Sequence, residues 1–321
     1  MALTEEQKKE RQSGIGGSDA STIMGVSLYK DPWTLYLEKT GEIPDGFIGN
    51  PYTEWGDLLE PAIASKYAEA TGRKIRVDNK THRSKTHPFM LGHIDRRVVG
   101  GDDRRALEVK TASRPEGWGE SGSNEIPSAY YCQVQHYIEV LKLDVVDVAV
   151  LIGGNDYRQY EIPRAPDFLK VLIEAEEEFW DRVEAKVAPD PVFEHRRMVE
   201  TMKSLFPGTN GSIVHLPEVA QKYNDVLEDA REQRLLFEKV EAGCKNRISM
   251  LMGEVSIGLL PDGTCYTRKE VKRKGYEVSE TEYIDQRHVK TLPKAALTWL
   301  EEQPALEKAD DIQRQLTAET D

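Results

Sequence analysis

Residues 91–111, LGHIDRRVVGGDDRRALEVKT, restrict this chain more than any other stretch. They read as two paired strands around a turn rich in Gly and Asp. The run 89–94 closes on Asp95, and 107–111 opens the next strand. Side chains alternate along a strand, so Glu108 and Lys110 fall on one face while Val109 points into the core. Such a pair brings Asp95, Glu108 and Lys110 to one spot. Two carboxylates and an ammonium suit a hard divalent cation, with the lysine beside the water it activates. The spacing alone is met equally by two strand-end carboxylates and a solvated lysine.

A third oxygen donor is expected from Glu60, in a helix spanning about 54–70 and ending at Gly72. Glu60, Asp95, Glu108 and the carbonyl of Val109 would form a ligand set for Mg²⁺, with Mn²⁺ able to substitute. A further helix, from near Pro127 to about Leu141, places Gln133 and Tyr137 one turn apart on one face. Tyr130, Tyr131 and Ile138 on the same helix are expected to pack.

Composition narrows the class. With 39% hydrophobic and 31% charged residues over 321 positions, the chain reads as a globular protein with room for two structural units. It has no apolar run near the roughly 20 residues that cross a bilayer, and its polar start does not resemble a signal peptide. A cytoplasmic location with no membrane partner is therefore expected. Three cysteines, none in a Cys-x-x-Cys pair, speak against a disulfide framework or a zinc knuckle. The net charge of −13 is unevenly spread: residues 73–114 hold twelve Lys/Arg against five Asp/Glu, a local excess of seven positive charges. Local sign matters more than net sign, because salt screens beyond about 10 Å.

The expected organisation is α/β, a mixed central sheet flanked by helices. Residues 1–190 are read as the principal domain, 191–216 as a linker or arm, and 217–321 as a C-terminal extension. Within the first, a short helix at 20–24 is capped by Ser18 or Asp19, and a second starts at Asp31 with Pro32 in its first turn and stops near Gly41. Apolar runs at 145–152 and 157–162 read as paired strands, followed by an acidic helix at 167–186. The extension has a long amphipathic helix, 217–252, and a hairpin, 254–278, whose second strand includes the basic run 268–274.

Taken in order, these elements resemble a known family. Arg11…Gly14-Ile15-Gly16-Gly17-Ser18-Asp19, Gly56-x-x-x-Glu60, Asp95…Glu108-Val109-Lys110 and Gln133-x-Gln135-x-Tyr137 are similar to the motifs of the YqaJ-type, λ-exonuclease-like recombinases. That group lies within the PD-(D/E)XK nuclease superfamily, and the likeness covers about residues 11–160. It implies a PD-(D/E)XK core and a metal-dependent deoxyribonuclease in which Glu60, Asp95, Glu108 and Lys110 are catalytic. Gln133 and Gln135 match the active-site helix, with the one facing the metal left open. Arg11 and Ser18 match residues that hold a terminal 5′-phosphate, a role a guanidinium fork and a hydroxyl beside glycine amides can fill. The family further implies 5′-to-3′ digestion of double-stranded DNA ends, a single-strand annealing protein as partner and a homo-oligomeric ring, of which a trimer is one form. His93 departs from the family, standing where that group carries a small residue.

Three DNA contacts are expected besides. Trp118, in the loop 114–126, would wedge into a DNA end, and Arg96 and Arg97 would flank the scissile backbone. Two other readings remain open at this point: a structure-specific or restriction-like endonuclease on the same fold, and an oligomeric DNA-binding or assembly module.

Overall fold

The structure is a computed structural model and describes residues 5–44, 51–78, 80–270 and 293–302. The chain divides into two compact units, Met1–Pro207 and Gly208–Asp321.

The first unit opens with α1 (Glu5–Gln12), β1 (Ile15–Gly16), α2 (Gly17–Ile23) and α3 (Pro32–Thr40). Local chemistry sets the bounds of α3. The Asp31 carboxylate accepts from the Thr34 amide at 3.0 Å, Pro32 occupies the first turn, and Gly41 ends the helix at φ 79°. Next come α4 (Pro51–Thr71), β2 (Lys74–Val77), β3 (His82–Arg83), β4 (Met90–Gly92), β5 (Arg96–Val99) and β6 (Arg105–Ala112). After α5 (Ser128–Leu141), β7 (Val145–Ile152) and β8 (Asp156–Pro163), the unit closes with α6 (Pro166–Ala185) and α7 (Met198–Leu205).

The central sheet has the order β2-β5-β6-β7-β8. Only β6 and β7 run parallel, joined by the crossover helix α5; the other neighbours are antiparallel. The expected mixed α/β core is therefore present, with both faces covered. Leu107 and Val109 of β6 pack with Ile63, Ala64 and Tyr67 of α4 on one face. On the other, Ala106 packs with Val134 and Ile138 of α5 and with Val146, Val148 and Val150 of β7. Because side chains alternate, Glu108 and Lys110 necessarily point to the α5 side.

The strand pairing differs from the expected one. The apolar run before Asp95 is β4, which belongs to a small separate sheet of order β1-β4-β3. The partner of β6 is β5, which begins after Asp95, with Arg96 opposite Leu107 and Arg97 opposite Ala106. Asp95 thus stands in the bend between two sheets. Helix α2 also starts earlier than expected, with Gly16 at its cap position.

Residues 191–207, read from sequence as part of a linker, pack on the first unit. The Val192 amide donates to Asp31 at 2.9 Å, and the buried hydroxyls of Thr34 and Thr201 lie 2.9 Å apart. Buried Met198 adds an apolar contact at the start of α7.

The second unit holds α8 (Val219–Met252), the hairpin β9 (Ile257–Leu259) and β10 (Cys265–Thr267), and α9 (Lys294–Glu302). Strands β9 and β10 pair antiparallel, Tyr266 opposite Gly258. Most of the basic run 268–274 lies outside the described residues. Among the described residues no helix is long and apolar enough to cross a membrane.

Candidate active site

Glu108 is the centre of the site. It is buried in the middle of β6, and its Oε1 accepts from Lys110 Nζ at 2.6 Å and from Gln133 Nε2 at 2.9 Å. Its Oε2 is buried with no hydrogen-bond partner. A buried carboxylate oxygen left open is costly unless a proton or a cation fills it. Burial, with Asp95 and more distantly Glu60 adding negative charge, outweighs Lys110 and pushes the Glu108 carboxyl up to about 8.

Asp95 is held by the strand edge. The β5–β6 ladder stops at Arg96 opposite Leu107, and Asp95 Oδ2 then accepts the Val109 amide at 2.7 Å. Its carboxylate acts on both Glu108 and Glu60. Burial and Asp95 raise the Glu60 carboxyl, although Arg96 pairs with it directly. On the far side of Lys110 the Tyr130 ring lies 5.1 Å from the ammonium, a cation–π contact that fixes the lysine toward Glu108. Burial disfavours the ammonium, yet Glu108 and Asp95 outweigh that and raise the Lys110 pKa.

Of the two glutamines left open by the sequence, Gln133 faces the site. Its Nε2 donates to Glu108 and also to Tyr137 Oη at 2.9 Å. Gln135 is turned away: it donates to the Pro163 carbonyl at 2.8 Å and accepts the Ala165 amide at 3.1 Å, bracing the turn between β8 and α6. Its expected catalytic role is therefore replaced by a structural one.

Helix α5 is anchored by a buried charge. His136 lies within 2.8 and 3.0 Å of the two Glu176 oxygens through Nδ1 and 2.8 Å from the Leu91 carbonyl through Nε2. A carbonyl can only accept, so Nε2 carries a hydrogen, and Nδ1 donates to the carboxylate: the ring is an imidazolium. Burial opposes this charge, but Glu176 and the Leu91 carbonyl outweigh it and raise the His136 pKa.

Gly17 lets α2 close on the same helix. A Cβ there would meet the Tyr137 ring at 2.4 Å. Gly17→Ala is expected to cost about 1–3 kcal/mol by overpacking and to loosen Tyr137 from Gln133. Urea denaturation checks the first effect, and an unchanged midpoint would contradict it.

Near this point Asp19 is buried, accepting from the Gly16 amide at 3.0 Å and from Lys39 Nζ at 2.7 Å. Burial pushes its carboxyl up, but Lys39, Lys30 and Arg11 together hold it well below the usual carboxylate range. Ser18 is exposed beside it, at the first turn of α2. The expected Arg11 and Ser18 thus flank a buried Asp19–Lys39 pair that sequence reading missed, because Lys39 looks like an ordinary helix-surface lysine. His93 is exposed and bonds Thr81 at 3.0 Å.

Three expected DNA contacts are corrected. Trp118 is buried and packs against Tyr130 and Tyr160, with ring centroids 5.5 and 5.4 Å away. As a core side chain under the loop it is not available as a wedge. Arg96 is buried, pairing with Glu60 and donating to the Asp95 carbonyl at 2.7 Å. Arg97 is bound to Asp78 through two nitrogens at 3.2 and 3.1 Å. Both charges are paired with carboxylates of this chain, Arg96 in the interior and Arg97 at the surface.

The fit to a divalent cation rests on Glu108 and Asp95, with the open Glu108 oxygen as the clearest sign. Among the described residues no three acidic, His or Cys side chains converge as a ready metal cluster, since Glu60 is engaged with Arg96. A hard cation is nonetheless what two adjacent carboxylates, one with its proton held to about 8, are built to accept.

The chain resembles known proteins over the segment that holds these residues. The model of the YqaJ-like viral recombinase domain matches residues 7–143, which hold every residue of the site described above from Arg11 to Tyr137. Residues 7–143 are therefore similar to the YqaJ-like viral recombinase domain. The protein YqaJ of Bacillus subtilis (strain 168), described as uncharacterized, is 39% identical over 183 residues, 56% of each chain. The chain thus spans little more than half the length of that curated relative. Among solved structures, the alkaline exonuclease LHK-Exo from Laribacter hongkongensis is 16% identical, covering 57% of this chain and 94% of its own at a TM-score of 0.45. A phage-related exonuclease from Haemophilus somnus 129PT is 12% identical, covering 56% and 99% at 0.40.

Proposed function

We propose that the YqaJ-like domain is a Mg²⁺-dependent exonuclease that digests the 5′ strand of duplex DNA ends and leaves a 3′ single strand. The observation that carries this reading is the buried Glu108 carboxylate, open at one oxygen, beside Asp95 and joined at the other oxygen to Lys110 and Gln133. Asp95, Glu108 and the Val109 carbonyl would hold the cation, with Glu60 as a reserve ligand if Arg96 releases it. When bound, a divalent cation neutralises charge on the scissile phosphate and lowers the pKa of the attacking water. Lys110 pairs with the Glu108 carboxylate that a bound cation would leave ionised, and its remaining N–H groups orient that water or offset developing negative charge. Gln133, fixed by Tyr137, holds Glu108 in its rotamer. Arg11 and Ser18 form the receptor for a terminal 5′-phosphate, with Lys39 neutralising Asp19 so that the pocket does not repel the dianion. An annealing protein that takes up the 3′ strand is the partner this product calls for.

Substrate topology tests the proposal. Linear duplex should be consumed and covalently closed circles left intact; nicking of the circles at a comparable rate would instead establish an endonuclease.

The cation also has a signature without DNA. Between the ordinary carboxyl value of 4.5 and about 8, the folded metal-free protein keeps a proton on Glu108 that the unfolded chain has released. The Glu108 contribution to stability is therefore lost as pH rises through that window. Added Mg²⁺ should restore it most at the upper end, and release a proton on binding below pH 8. Thermal unfolding at several pH values, with and without Mg²⁺, checks both; a Mg²⁺ effect independent of pH would contradict them.

A further inference from the structure

The second unit presents a long apolar seam on α8, with no partner for it among the described residues of that unit. Helix α8 has 34 residues, about 50 Å at 1.5 Å per residue, and no side chain of it is buried among the described residues. From Val219 to Leu251, positions spaced alternately four and three residues apart are apolar except Gln233 and Arg247. That is a 3.5-residue period, the repeat of a helix that winds around another helix. Its members stand well out in solvent: Tyr223 is 71% exposed, Phe237 67% and Leu251 85%.

The seam chooses its own partner. A matching helix must run most of its length, and the next described helix, α9, has only 9 residues. A second α8 has the right length, and its direction is set by the two polar positions. Aligned parallel and in register, Arg247 would face Arg247 of the other copy, two like charges in the core of the pair. Aligned antiparallel about Leu235, every seam position meets another. Arg247 then falls on a Tyr223 ring, a cation–π pairing, Gln233 meets Phe237, and Val219 meets Leu251. We infer that α8 pairs antiparallel with α8 of a second copy of this chain, making the C-terminal unit a dimerisation element. The inference goes beyond the nuclease reading and stands without it.

Antiparallel pairing places position 226 opposite Cys244 of the other copy. The test uses the full chain with exposed Cys265 replaced by serine. Val226→Cys in that background should give a disulfide-linked dimer on mild oxidation, whereas Cys244 alone should not. Phe237→Glu, at an exposed position, should halve the mass measured by light scattering. Three results would overturn the inference: cross-linking through Cys244 alone, which means a parallel pair; an unchanged mass for Phe237→Glu; or a monomeric parent chain, which leaves the seam to another protein or to the same chain.

Discussion

Glu108→Gln is expected to lower the rate of DNA hydrolysis by about 10³-fold or more, while leaving the fold and the binding of DNA ends in place. The size follows from where the charge sits. The substitution keeps the shape of the side chain and its contact with Gln133, but removes the anion that pairs with Lys110 and puts an amide NH₂, which cannot bind a cation, in place of the open oxygen. Losing one preorganised charge at the reacting centre costs about 10²–10³-fold in enzymes generally, and losing a cation ligand adds to it. The variant should also lose the pH-dependent fall in metal-free stability, since it has no proton to release. A Glu108→Gln protein with undiminished hydrolysis would remove Glu108 from the chemistry.

His136→Leu is expected to destabilise the first unit by about 3–5 kcal/mol, the usual cost of stranding one member of a buried ion pair. Both partners are fully buried, so Glu176 would lose its cation and the Leu91 carbonyl its donor. The effect depends on pH in a direction fixed by the raised His136 pKa. The imidazolium contributes fully below the unfolded value of 6.5, and its contribution is lost as pH rises through the higher folded value. Parent and variant should therefore differ most in mildly acidic solution. Denaturant unfolding at a series of pH values measures this, and a gap that widened on going alkaline would show that the pair is neutral.

What could be read from the sequence was local or periodic. Asp31, Pro32 and Gly41 bound α3 through contacts within a few residues, and the apolar run 145–152 became β7. Glu108 and Lys110 share a face by simple alternation. The pairing partner of β6 was not legible, because Met90–Gly92 is apolar whether it joins the central sheet or the small one. Nor could Gln133 be told from Gln135: two residues apart on a helix they point about 200° apart, and only the docking of α5 decides which meets Glu108. Arg96 and Arg97 look free in sequence because their partners, Glu60 and Asp78, are 36 and 19 residues away. Trp118 reads as a loop tip, yet Tyr130 and Tyr160 enclose it from two other elements. The Asp19–Lys39 pair escaped for the same reason. Chemistry that depends on two distant segments meeting appears only once the chain is folded.

The most direct test of the central claim is digestion of a linear duplex labelled separately at each 5′ and 3′ end, in Mg²⁺, with and without a terminal 5′-phosphate. The site built on Glu108, Asp95 and Lys110, with Arg11 and Ser18 at the strand end, predicts early release of 5′ label as mononucleotide and late release of 3′ label. It also predicts a marked loss of rate on dephosphorylated ends. Early release of 3′ label, or equal rates with and without the phosphate, would contradict it.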